Sequence, residues 1–145
     1  MAIARPSPRA GAHALHAILL GFPIALFSGA LVSDIAYLRT AQIQWTNFSQ
    51  WLIVFGLVFG GLVAAWALVL LVMGYRDERR DGRVAYFVVL ALMWVLGLVN
   101  AFKHSQDAWS SVGTLGLILS ILCTLLALAA GIILHAGLTT REVAR

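Results

Sequence analysis

Four histidines, a lone cysteine and a handful of carboxylates are the side chains in this chain with chemistry to offer, and nearly all of them border long apolar stretches. His13 and His16 stand three apart, which puts them on one helical face at the head of the first stretch. His135 stands near the end of the last. Counting ~1.5 Å per residue from the ends of those stretches, His16 and His135 fall at similar shallow depth on the same side. Two imidazoles at matched depth on different helices of a bundle can hold the iron of one haem b from opposite faces. The plainer reading gives each a backbone or water partner at the membrane surface. His104, beside Lys103 and Asp107 at the far end of the third stretch, is too distant to share a ligand set with His16 and reads as a loop residue. Asp34 near the far end of the first stretch, with Arg39 just beyond, reads as an interfacial ion pair, the alternative being a proton relay. Asn100 could cap a helix end or bond to a neighbouring helix.

Other chemistries are not written here. Cys123 is the only cysteine, so no intramolecular disulfide can form. There is no Cys-x-x-Cys pair, no Gly-rich phosphate loop and no Ser/His/Asp set. No catalytic residue is assigned, and the chain is read as having no catalytic activity of its own.

The elements that carry these residues follow from composition. Of 145 residues, 61% are hydrophobic and 11% charged, against about 25% charged in an average soluble domain. Apolar stretches cover residues 14–38, 48–75, 84–102 and 112–136, each near or above the ~20 residues that cross a bilayer core. The expected fold is all-α: an integral membrane four-helix bundle, antiparallel and up-down-up-down, because loops this short make consecutive helices antiparallel neighbours. Its domain covers residues 13–138, between a disordered cytoplasmic tail at 1–12 and a second tail at 139–145, with loops at 39–47 and 103–111. The run at 76–83 is a charged hairpin turn in which Gly82 offers a helix stop or turn position. Pro23 removes one backbone hydrogen bond and should bend the first helix.

Orientation is set by the cations, since short loops rich in Lys and Arg stay in the cytoplasm. Arg5, Arg9, Arg76, Arg79, Arg80, Arg83, Arg141 and Arg145 fall on the side of both termini, and only Arg39 and Lys103 on the other. Both termini are therefore expected to be cytoplasmic. The formal charge of +4 then matches an anionic inner leaflet, with no basic cluster left over for nucleic acid. Tyr37, Trp45, Trp51 and Trp109 at one border, and Tyr75 and Tyr86 at the other, suit the headgroup level, whereas Trp66 and Trp94 lie mid-span. An alternative makes the first stretch a leader cleaved after Ala30, in the run Ser28-Gly29-Ala30.

Gly56, Gly60 and Ala64 recur every four residues on the second span, a stripe that admits a close helix, either within the chain or in another subunit. Two functions fit. One is a small structural, anchoring or assembly subunit of a membrane complex, partnered by lipid, by a membrane protein or by further copies of itself. The other is a quinone-linked haem b electron-transfer subunit with His16 and His135 as axial ligands and the arginines neutralising the propionates.

The string His16-Ala-Ile-Leu-Leu-Gly21-Phe22-Pro23-Ile24-Ala25-Leu26 resembles the opening motif of the domain-of-unknown-function family 2231, predicted four-span bacterial membrane proteins. Gly131 and His135-Ala136-Gly137 resemble its closing segment loosely. The resemblance covers about residues 13–138 and implies a multi-pass protein of a bacterial inner membrane. The family pattern commonly carries a second histidine directly before Phe-Pro, where this chain has Gly21, and a third early in the third span, where Tyr86 or Phe87 stands. It implies no settled activity.

Overall fold

Lipid offers a peptide group nothing to bond to, so a chain this apolar must satisfy its backbone within each segment, and the helix does so. The computed structural model describes residues 8–74, 80–106 and 112–143. These form four helices: α1 (Pro8–Thr40), α2 (Ile43–Met73), α3 (Arg80–His104) and α4 (Thr114–Val143). Each is long and apolar enough to cross a membrane, and no strand occurs among the described residues.

The helices run beyond the apolar stretches, because polar residues at headgroup level can continue a helix where water meets the last peptide groups. The backbone of residues 8–12, expected in a tail, is the start of α1, with proline at its first position, where the missing N–H has no role. Residues 139–143, expected in the second tail, continue α4. The expected loop at 39–47 reduces to Ala41 and Gln42 between α1 and α2. Ala41 takes a positive φ of 53°, and its N–H donates to the Tyr37 carbonyl at 2.8 Å. Gly82 is no stop but lies in the first turn of α3 beside Asp81, whose charge suits a helix N-terminus. The stop is Gly74, whose N–H donates to the Leu70 carbonyl at 3.0 Å and ends α2. The Arg83 side chain covers Gly74, where a Cβ would collide with it. Residues 1–7, 76–79, Tyr75, Asp107, Trp109 and Arg145, which entered the expectations for tails, charged turn, loop and aromatic borders, lie outside the described residues.

In space, the backbones of α1 and α3 each run beside those of both α2 and α4, and across the diagonal α1 and α3 meet through side chains. The shared interior holds Leu20, Phe27, Ile53, Val63, Leu90 and Met93, all at most 2% exposed. Phe27 is its wedge. A Cβ at Gly56 on α2 would stand 3.2 Å from the Phe27 ring, and one at Gly97 on α3 would stand 3.1 Å from it, so both glycines exist to let the ring in. Outward faces carry large apolar side chains such as Ile18, Val32, Trp51, Phe102, Leu125 and Ile132. Such an exterior suits a lipid surround, in which helices are held by close packing and internal polar bonds and not by the hydrophobic effect. Helix α1 passes through Pro23 as one element, and Pro23 is buried. Ala30, the alternative cleavage position, is 0% exposed in the middle of that helix.

Candidate functional site

Ionisable groups in a lipid-filled setting need partners, and one end of the bundle supplies them to Asp34 from the other three helices. Its carboxylate is 0% exposed. Oδ1 accepts from the Ser49 hydroxyl of α2 at 2.5 Å and faces Nε2 of His104, the last residue of α3, at 3.0 Å. Oδ2 accepts from the Ser120 hydroxyl of α4 at 2.5 Å. Ser120 in turn accepts from the Asn100 amide of α3 at 2.9 Å. One carboxylate therefore joins all four helices.

His104 is held at both nitrogens. Nδ1 lies 3.0 Å from the backbone carbonyl of Asn100, one turn back on its own helix. A carbonyl oxygen and a carboxylate oxygen are both acceptors, so two protons assigned to the ring satisfy both contacts. A ring carrying both protons is an imidazolium, and with an ionised carboxylate it makes a pair neutral overall. The unsatisfied carbonyls in the last turn of α3 carry partial negative charge. One of those carbonyls, that of His104 itself, is capped by the Gln50 side-chain amide of α2.

This overturns two expectations. His104 is not a loop residue: it ends α3 and is 0% exposed. Asp34 does not pair with Arg39, which is exposed. Five residues along a helix turn a side chain well away from the first, so Arg39 leaves the face that carries Asp34. Asn100 bonds to a neighbouring helix, one of its two expected uses. Ser49, Ser120 and Gln50 carried no sequence signal, because a serine in an apolar helix commonly bonds its own backbone, as Ser33 does to Gly29.

At the opposite end His16 is buried at 4% exposure. Its Nε2 lies 2.9 Å from the Tyr86 hydroxyl of α3, and the Trp66 ring of α2 stands edge-on at 5.4 Å between centroids. Tyr86, expected at the headgroup level, is instead 9% exposed, because its hydroxyl finds this partner inside the bundle. His16 Nδ1 is buried with no hydrogen-bond partner. His135 sits on an exposed part of α4. As arranged, His16 and His135 do not fit a haem between them: one nitrogen of His16 is taken by Tyr86, its ring is flanked by aromatic side chains, and His135 lies outside the interior. No cluster of three or more His, Cys, Asp or Glu able to hold a metal ion occurs among the described residues. Of the α2 stripe, Gly56 meets Phe27 and Gly60 meets Met93 and Pro23, while Ala64 is half-buried against the same core. Mid-span Trp94 donates to the Leu57 carbonyl of α2 at 3.1 Å, over the gap left by Gly61.

A family model described as predicted membrane protein (DUF2231) matches residues 12–138. The chain belongs to that family. No curated protein and no solved structure matches it.

Proposed function

We propose that this chain is a structural, anchoring or assembly subunit of a bacterial inner-membrane complex, with helices alternating in direction and both termini cytoplasmic. The carrying observation is how the Asp34 site spends its polar groups. Both carboxylate oxygens, both His104 nitrogens and the Ser49 and Ser120 hydroxyls are engaged by other groups of the same chain. A site so committed closes one end of a bundle and holds its helices in register; it leaves little to offer a substrate. Alternation is supported by the pairing of ends: Asp34 and His104, late in α1 and α3, meet Ser49 and Ser120, early in α2 and α4. The cytoplasmic assignment rests on the arginines.

Native mass spectrometry after mild-detergent extraction from the source membrane tests this reading. A defined complex with another membrane protein, or a fixed oligomer, is expected, and a bare monomer overturns it.

The second reading, a quinone-linked haem b subunit with His16 and His135 as axial ligands, is favoured by one observation, the buried and unpartnered Nδ1 of His16. It requires the ring to have room beside Trp66 and Tyr86 that the present packing does not leave. Oxidised and dithionite-reduced visible spectra decide it. A Soret band lost in His16→Ala supports the haem, and a featureless spectrum from cells supplied with haem removes it.

A further inference from the structure

We propose that the Asp34–His104 pair is a proton-binding site that exchanges with one side of the membrane only, and that releasing its proton unfastens that end of the bundle. This goes beyond the assembly reading and does not depend on it.

The argument starts from the two ring contacts. His104 Nε2 faces a carboxylate oxygen and Nδ1 faces a backbone carbonyl, each at 3.0 Å. With both nitrogens protonated, both contacts are hydrogen bonds. Remove one proton to water and one nitrogen turns a lone pair toward an oxygen lone pair. If Nε2 loses it, the link from α3 to α1 is broken; if Nδ1 loses it, the last turn of α3 is pushed open. Neither tautomer of a neutral imidazole satisfies both oxygens while Asp34 is ionised. Passing the proton from Nε2 to Oδ1 keeps both contacts, but it makes a carboxylic acid that still accepts from Ser49 and Ser120, the arrangement suited to a carboxylate. The site therefore keeps its shape only while the pair holds that proton, on Nε2 of His104 or on Oδ1 of Asp34.

A second observation marks the cluster as incomplete without a further hydrogen-bonding species. Asn100, 0% exposed and bonded through its amide nitrogen to Ser120, has an oxygen Oδ1 that is buried with no partner. Thr46, one turn before Ser49 on α2 and 2% exposed, has an unpartnered hydroxyl. An unpaired polar group is costly away from water, and a water molecule entering beside Asn100 would serve both as its partner and as the proton acceptor.

Asp34 and His104 are themselves 0% exposed, and the exposed polar residues next to them lie toward one end of the bundle. His104 ends α3, and Ser105 and Gln106 directly after it are exposed. In the other direction lie Phe27, Ile53, Leu90 and Met93, which offer no proton carrier. Among the described residues the charged and titratable neighbours are few. On α1, Tyr37 and Arg39 follow Asp34, and Arg39 is exposed. On α3, Lys103 is turned to Gln106, which accepts from it at 2.7 Å. The groups that α2 and α4 present here, Thr46, Ser49, Gln50, Ser120 and Thr124, are neutral, and Cys123 on α4 is buried nearby in sequence.

The test is side-chain nitrogen NMR of histidine-labelled protein in nanodiscs, with His104→Gln identifying the His104 signals, alongside amide hydrogen exchange of residues 100–106 corrected for the intrinsic effect of pH. Expected are two protonated ring nitrogens at the acid end, loss of one proton in a single step, and a rise of about tenfold in corrected exchange in the same step. In His104→Gln the exchange of that segment should not change with pH. A His104 that is neutral throughout, or that loses its proton with no change in exchange, overturns the proposal. So does a His104→Gln protein that keeps the wild-type pH step. Should His104→Gln not fold, His13→Gln, His16→Gln and His135→Gln leave the His104 signals assigned by elimination, and the wild-type measurement decides.

Discussion

Asp34 is a residue whose value lies in what it accepts. Three donors from three helices converge on one carboxylate, so its replacement does not remove a single bond but leaves His104, Ser49 and Ser120 each short of an acceptor. Breaking a buried charge pair by removing one member costs about 3–5 kcal/mol. Hydrogen bonds between membrane helices average about 0.6 kcal/mol and reach about 1.7. Asp34→Ala should therefore lower the thermal midpoint in detergent by much more than Ser49→Ala or Ser120→Ala, as measured by unfolding followed with circular dichroism. Arg39→Ala should leave that midpoint unchanged, since Arg39 is exposed and outside the network. An equal loss from Arg39→Ala would mean that the interfacial pair suggested by sequence forms after all.

Between elements, close approach is bought with glycine, and its two kinds of position here should answer differently to alanine. At Gly56 an added methyl meets the Phe27 ring at 3.2 Å, and at Gly97 it meets Leu57 at 3.0 Å and Phe27 at 3.1 Å. Phe27 is held from α2 and α3 together and cannot withdraw from both, so overpacking of about 1–3 kcal/mol is expected for Gly97→Ala. Gly21 has nothing within 4 Å of the same methyl. Gly21→Ala should be neutral or stabilise by about 0.5–1 kcal/mol through helix propensity. Thermal melts of the two variants in one detergent test this; a Gly97→Ala protein as stable as Gly21→Ala would show that the wedge is not tight. Gly56 and Gly60 are taken up by Phe27 and Met93 of the same chain, so that stripe serves packing within the bundle.

For the whole molecule, the testable claim is orientation. With alternating helices and cytoplasmic termini, the Asp34 end faces the periplasm and the His16 end the cytoplasm. Cysteine scanning on a Cys123→Ser background should make a cysteine at Gln42 reactive to an impermeant maleimide added to whole cells, and one at Gly11 unreactive until the cells are opened. The reverse pattern would invert the bundle and move proton exchange at His104 to the cytoplasmic side. Both positions are exposed.

Length, apolar runs and the family motif made four membrane-crossing helices legible from sequence, because a span is a local property: some twenty consecutive residues either suit lipid or do not. The same locality explains why Asn100 and Asp34 could be flagged as polar groups needing partners while the partners themselves could not be named. Ser49, His104 and Ser120 lie 15, 70 and 86 residues from Asp34, and only the docking of α2, α3 and α4 around α1 brings them to it. His16 likewise met Tyr86 from 70 residues away. Sequence determined the solvent and the helices; the tertiary structure decided which few polar side chains share the interior, because helix rotation and depth are fixed by packing, with Phe27 seated between Gly56 and Gly97, and not by any residue's own preference.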